Sequence, residues 1–294
     1  MTENKFLERL SEGRILVSDG GLGTMLQARG LEFGACPELW NEDRPEDVLA
    51  VHRAYVEAGA DMVSTNSFGG SRHKLRQFGA EDKVALLNRR AAEIARQAAG
   101  SIGLVSGSIG PVGELLEPYG DLSEDEAREC YTEQAGALAE GGADLILIET
   151  FYDLNELQIA AECAKLTGKP VVCTMTFDTG GRTMMGTTPE QAWEAASGWG
   201  LAAFGSNCGF GPVEMLDVIR KIHNAGCPAV IAQPNAGLPE TRADGSLVYH
   251  ETPDAFCRFT KDFLEAGCRI LGGCCGSTPE HIHHLKMHLA QLGV

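Results

Sequence analysis

Three of the ten cysteines share one kind of surrounding. Ser206-Asn207-Cys208-Gly209 and Gly272-Gly273-Cys274-Cys275-Gly276 set thiols among glycines, each directly after a run of small and β-branched residues. Thiolates ligate zinc, and three of them form an incomplete tetrahedron that leaves one position for an exchangeable ligand. The flanking glycines let the backbone bend sharply enough for both members of the adjacent pair to reach one ion. No paired C-x2-C knuckle of the structural-zinc kind is present. The adjacent pair also reads as two unrelated buried thiols, and spacing alone leaves both readings open.

Carboxylates and amides take the same position in the pattern. Asp19, Asn66, Glu149 and Asn235 each close an apolar, β-rich run and are followed by Gly, Pro or a short polar loop. That polar residues mark strand ends explains Asn and Asp; it does not explain three cysteines at equivalent places.

The elements that must bring these residues together are legible. Strands are expected at Arg14–Ser18, Asp61–Asn66, Gly103–Ser108, Leu145–Thr150, Val171–Phe177, Ala202–Cys208, Ala229–Asn235 and Arg269–Cys274. Helical periodicity covers Pro45–Ala58, Asp82–Ala99, Ser123–Glu140, Leu154–Thr167, Val213–Asn224, Pro253–Glu265 and Pro279–Gln291. Several of these open with Pro in the first turn, and Ser123 with Glu126 forms a capping box. Strands alternating with helices, with no linker or repeat boundary, predict a single α/β domain over residues 1–294, a (β/α)8 TIM barrel. In that fold the C-terminal strand ends converge on one face, so residues distant in sequence become neighbours. An open doubly wound sheet calls for a G-x-G-x-x-G loop opening directly into a helix. Asp19-Gly20-Gly21-Leu22-Gly23-Thr24 lacks that spacing, and no acidic residue ends the next strand in the required place.

Composition narrows the function classes. A length of 294 residues suits one barrel, typically ~250. A formal charge of −17 repels nucleic acid and anionic membrane, which both need clustered Lys and Arg. The leading Met1-Thr2-Glu3-Asn4-Lys5 carries no secretory signal, and no apolar run approaches the ~20 residues needed to span a bilayer. Ten cysteines without such a signal point to a reducing compartment, so a cytoplasmic location is expected. Cys36, Cys130, Cys163, Cys173, Cys227, Cys257 and Cys268 read as small buried hydrophobes. His281, His284 and His288 read as a solvated helix face, and Trp40 as either pocket lining or packing. Glu114–Gly120 extends the third strand-to-helix loop, and Phe177–Gly186 reads as either a donor-side wall or a surface hairpin.

Taken in order, Asp19–Thr24, Asp61–Asn66 with Ser67-Phe68-Gly69, Gly107-Ser108-Ile109-Gly110-Pro111, Glu149-Thr150, Asn207-Cys208, Pro234-Asn235-Ala236-Gly237 and Gly272–Gly276 resemble the homocysteine S-methyltransferase family. The likeness is nearest to the homocysteine-binding module of cobalamin-dependent methionine synthase, and it covers nearly the whole chain. The resemblance implies a (β/α)8 barrel and one Zn²⁺ held by Cys208, Cys274 and Cys275, with Asn235 as a fourth ligand when substrate is absent. It implies substrate contacts at Asp19, Gly20, Gly21, Thr65, Asn66, Glu149, Asn207 and Asn235, with Glu149 meeting the substrate ammonium. Its reaction is methyl transfer to the sulfur of L-homocysteine, giving methionine. A free thiol has pKa ~8.5, so activation depends on the metal favouring the thiolate. The family's donors are methylcobalamin on a corrinoid protein, betaine, or a sulfonium such as S-methylmethionine. The sequence ends one helix after Cys275, so the long extension of the betaine enzymes is not expected here. A corrinoid donor is then expected on a separate polypeptide. Two other classes stay open: a thiol methyltransferase subunit of a corrinoid system with another acceptor, and a non-catalytic zinc- or thiol-binding barrel.

Overall fold

A computed structural model describes residues 4–178, 180–242 and 247–294. Eight parallel strands form the sheet: β1 (Leu16–Val17), β2 (Met62–Ser64), β3 (Leu104–Ile109), β4 (Leu145–Phe151), β5 (Val171–Met175), β6 (Ala203–Asn207), β7 (Val230–Gln233) and β10 (Cys268–Leu271). Between the last two lies a short antiparallel hairpin, β8 (Glu240–Thr241) with β9 (Leu247–Val248). The sheet runs β1-β10-β7-β6-β5-β4-β3-β2, and a bridge from Ser18 to Met62 brings its two edges together. Parallel neighbours joined through helices, with the ends meeting, make a (β/α)8 barrel; an open sheet is excluded.

Period-two alternation divides the strands into two faces. Leu16, Met62, Leu104, Leu145, Leu147, Val172, Ala203, Ile231 and Ile270 pack into one buried cluster with Phe6, which is fully buried. These side chains fill the barrel interior, and the helix Lys5–Ser11 seats Phe6 among them. The intervening residues, such as Val17, Val105, Ile146 and Phe204, join the larger cluster shared with the helices. Two residues further along (four in β6), the inward positions turn polar. Ser18, Ser64, Glu149, Thr174, Asn207 and Gln233 continue the same parity as the apolar layer, so a functional face is built on a packed floor.

Six strands stop earlier than the sequence suggests, whereas β3 and β4 each run one residue further. Asn66, Cys208, Asn235 and Cys274 lie beyond the last ladder residue, in the loops. A helix Leu22–Ala28 follows immediately after Gly21, where sequence reading found only a glycine cluster, and Pro189–Ala196 is a second helix the periodicity did not reveal. Both are short, seven and eight residues, and their apolar spacing is thin. The stretch Pro253–Glu265 is two helices, Pro253–Cys257 and Thr260–Glu265. The capping box at Ser123 is formed, with its hydroxyl accepting from Glu126 N–H.

His281 corrects the expectation of a solvated helix face. It is 6% exposed; one ring nitrogen meets the Glu251 carbonyl at 2.9 Å, and the other meets the Thr278 hydroxyl at 2.9 Å. Trp40 is packing: it belongs to the main core cluster, with the Arg44 guanidinium 3.9 Å above its ring. The seven cysteines read as core thiols are all buried. Within Phe177–Gly186, Thr179 lies outside the described residues, as do Met1–Glu3. No helix among the described residues is long and apolar enough to cross a membrane.

Candidate functional site

A cavity of about 380 Å³ opens among the loops that follow the strands. Cys208, Cys274, Cys275, Asp19, Gly20, Gly21, Thr65, Asn66 and Glu149 all line it. Residues from five separate strand ends are thereby gathered, as the barrel topology requires. The lining contains three carboxylates, counting Glu38, and no Lys, Arg or His among the described residues. Its field favours a cation.

The Sγ atoms of Cys208, Cys274 and Cys275 lie within 4.8 Å of one another, with 4.0 Å between the adjacent pair. Sulfurs held ~2.3 Å from one zinc at tetrahedral angles stand ~3.8 Å apart, so the cluster fits that ion closely. Cys208 follows β6 in the left-handed region, φ 59°, and Gly209 continues the turn at φ 73°. Cys208 N–H donates to the Gln233 carbonyl (3.1 Å), and Cys274 N–H to the Pro234 carbonyl (2.7 Å). The backbones of Cys208 and Cys274 are therefore tied to the end of β7 and the residue after it.

The loop bearing Gly20 and Gly21 lies hard against the cysteine pair. A Cβ at Gly21 would stand 2.7 Å from the Cys274 carbonyl oxygen and 3.1 Å from the Gly276 nitrogen. Glycine is required there by the close approach of two backbones. On the other side, Gly276 has φ 79°, and a Cβ would meet the Tyr249 ring at 2.2 Å. The Tyr249 hydroxyl reaches toward Cys275.

Sharing of protons within the cluster holds the Cys208 thiol well below its ordinary value and pushes Cys274 and Cys275 above theirs. Three thiols so close share one negative charge when no cation is near, and a divalent ion is what allows all three to ionise. The Asn235 amide lies beside Cys208 and helps to hold its thiol low. Its Oδ1 has no partner among the described residues, although Asn235 is only 3% exposed. That orphaned amide oxygen beside the thiols is the observation that fits a fourth ligand.

Two carboxylates face the thiols. Asp19 is 1% exposed; its Oδ2 accepts from Ser64 N–H at 2.7 Å, and its Oδ1 from the Ser64 and Ser18 hydroxyls at 3.1 and 3.2 Å. Burial outweighs those bonds and pushes Asp19 up to about 7. Glu149 accepts from the Ser108 hydroxyl and, at 3.2 Å, from Asn207 Nδ2. Burial, followed by the negative charges of Asp19 and Cys208, pushes it up to about 7 as well. A cation between the two carboxylates relieves both penalties.

The side chains of the remaining expected residues are committed to partners within the protein. Asn66 donates from Nδ2 to the Pro37 carbonyl (2.7 Å) and to Asn41 Oδ1 (3.0 Å), so its side chain anchors the segment carrying Glu38. Thr65 Oγ1 accepts from Ser108 N–H at 2.9 Å and pairs with Ser67. Asn207 and Asn235 do not line the cavity. Sequence reading missed Glu38, Ser64, Ser108 and Gln233. The inward parity of β2, β3 and β7 carries the signal for the last three. Glu38 sits in the 3-10 turn Pro37–Leu39, which has no periodicity to betray it.

The family description "Homocysteine S-methyltransferase" matches residues 16–289. The chain belongs to the homocysteine S-methyltransferase family. Within it, the chain is similar to the methionine synthase of Mycobacterium leprae (strain TN), 36% identical over 98% of this chain and 25% of that protein. It is equally similar to the methionine synthase of Mycobacterium tuberculosis (strain ATCC 25618 / H37Rv), 36% identical over 99% of this chain and 26% of the relative. The chain thus spans about a quarter of the length of these relatives. Among solved structures it superposes on the metallated homocysteine methyltransferase MmuM of Escherichia coli with a TM-score of 0.79 and 25% identity, covering 97% of this chain and 99% of that one.

Proposed function

We propose that residues 1–294 act as one homocysteine-binding barrel domain that transfers a methyl group to the thiol of L-homocysteine. The observation that carries this reading is the pairing of three convergent thiols with two carboxylates, Asp19 buried and Glu149 half-buried, in one cavity. A metal-thiolate centre alone would serve many thiols. Carboxylates pushed up to about 7 in the same cavity call for a cationic group on the acceptor, which an amino acid supplies.

Cys208, Cys274 and Cys275 would hold Zn²⁺, with Asn235 Oδ1 as the remaining ligand before substrate enters. Zinc bound there supplies the positive charge that keeps the substrate sulfur deprotonated, yet nucleophilic toward a methyl group. Glu149 and Asp19 bind the ammonium and so orient the chain that carries the sulfur. Ser108 and Asn207 hold the Glu149 carboxylate in place, while Ser18 and Ser64 hold Asp19. The methyl passes by in-line displacement: a carbon–sulfur bond forms as the donor's bond to methyl breaks, and no general base is needed.

For the donor, we favour methylcobalamin carried by a corrinoid-binding protein or domain, or a sulfonium such as S-methylmethionine. Similarity to the methionine synthases supports the first, and the cation-favouring lining supports the second. The test is methionine formation from homocysteine by the zinc-loaded protein, with methylcobalamin and with S-methylmethionine in parallel. Turnover with either donor supports the reading. No turnover with either, together with no binding of homocysteine, would overturn it in favour of a non-catalytic barrel.

A further inference from the structure

Asn207 is fully buried and does not line the cavity, yet it makes more side-chain hydrogen bonds than any cavity residue described above. Its Oδ1 accepts from Thr150 N–H at 2.8 Å and from the Thr174 hydroxyl at 2.7 Å. A backbone N–H can only donate, so the first of these bonds fixes which end of the amide is oxygen. Nδ2 then faces the Thr150 hydroxyl at 2.8 Å, Glu149 Oε2 at 3.2 Å and Cys274 Sγ at 3.8 Å. One amide spans β4, β5 and β6 and touches both the ammonium-binding carboxylate and a thiol of the metal cluster.

Thr150 gives that contact its meaning. Among the described residues only Thr150 and Cys208 occupy the left-handed region without being glycine, at φ 67° and 59°. A β-branched residue holds that conformation only where its surroundings impose it. Asn207 bonds both polar groups of Thr150 and stands directly before Cys208. Thr150 lies within β4, where pairing with β5 skips from Ile148 to Phe151, so its left-handed turn is a bulge that also carries the adjoining Glu149.

The geometry points to Asn207 as the positioning residue that locks the left-handed turn at Thr150, and thereby fixes the Glu149 carboxylate against the thiol cluster. Resting on the homocysteine reading above, this moves Asn207 from substrate contact to spacer: it sets the separation between the group that binds the ammonium and the thiols that hold the metal. A purely structural role would lower stability without linking these two sites.

The test is a double-mutant cycle between Asn207→Ala and Thr150→Gly. L-Methionine serves as the probe, since it carries the ammonium but no acidic thiol. Binding is read by calorimetry, with zinc content and thermal melting measured alongside. Asn207→Ala is expected to weaken methionine binding about 10–100-fold while zinc content stays near that of the parent, the scale of a hydrogen bond to a charged group. Glycine adopts the left-handed region without support. In the Thr150→Gly background the loss caused by Asn207→Ala should therefore shrink by about tenfold. Equal losses in both backgrounds, or a loss confined to melting temperature, would overturn the assignment. If the parent protein binds neither methionine nor homocysteine, the functional reading fails first, and the role given to Asn207 falls with it.

Discussion

Replacing Glu149 with Gln isolates the electrostatic cost of the site. The carboxylate sits at a strand end with two hydrogen bonds, yet burial and the nearby charge of Asp19 push it up to about 7 from an ordinary 4.5. A carboxyl raised in this way is bound to its proton more tightly in the folded state than in the unfolded one. It therefore costs little below pH 4.5, costs more as pH rises, and carries its full penalty above pH 7. Between pH 5 and pH 8 the parent protein should lose on the order of 2–3 kcal/mol of stability that Glu149→Gln does not lose. The substituted amide meets Asn207 Nδ2 less well than the carboxylate does, but that mismatch is the same at both pH values and cancels in the comparison. For a chain of this size the difference amounts to roughly 3–5 °C in melting temperature. The assay is thermal melting of metal-free parent and variant at both pH values, with methionine binding measured by calorimetry at pH 8. Glu149→Gln should gain melting temperature relative to the parent as pH rises, and should lose about 100-fold in methionine affinity. Melting differences that do not change with pH, or an affinity within threefold of the parent, would refute the argument that this half-buried carboxylate is strained in order to bind an ammonium.

Other consequences are equally specific. At pH 6.5 Asp19 and Glu149, both at about 7, are mostly protonated, so methionine binding should release protons and tighten as pH rises through 7; calorimetry in two buffers of different ionisation enthalpy checks this. Gly21→Ala places a methyl 2.7 Å from the Cys274 carbonyl, and should lower zinc affinity at least tenfold while the far-ultraviolet circular dichroism is retained. Ser123→Ala removes the N-cap of the helix Glu124–Glu140, and should cost about 1 kcal/mol of stability with no change in metal content or methionine binding.

Much of this was legible in the sequence, for reasons that can be named. Strands filled with Val, Ile, Leu and Cys at period two, each closed by a polar or thiol residue, identify a barrel and its working face. Asp19, Glu149 and the three cysteines were found because they stand at those closures. Asn207 was found too, but with a different role, because sequence shows adjacency to Cys208 and not the direction of an amide across β4 and β5. Gln233 and Ser108 were hidden because a polar residue inside an apolar run looks like tolerance, not design. His281 was misread since three histidines at helical spacing suggest one face, whereas the first lies at the helix start, where it bonds the Glu251 carbonyl and the Thr278 cap. The helix Leu22–Ala28 escaped notice because glycines dominate its opening, and tertiary contact with Cys274–Ser277 stabilises it in place of propensity.

The central claim is that three thiols present a metal with one exchangeable position to the sulfur of homocysteine. The direct measurement is zinc content by elemental analysis together with X-ray absorption at the zinc edge, with and without homocysteine. The account predicts one zinc per chain with three sulfur neighbours, rising to four when homocysteine is added. A protein that binds homocysteine without metal, or whose zinc keeps three sulfur neighbours at saturating homocysteine, would contradict it.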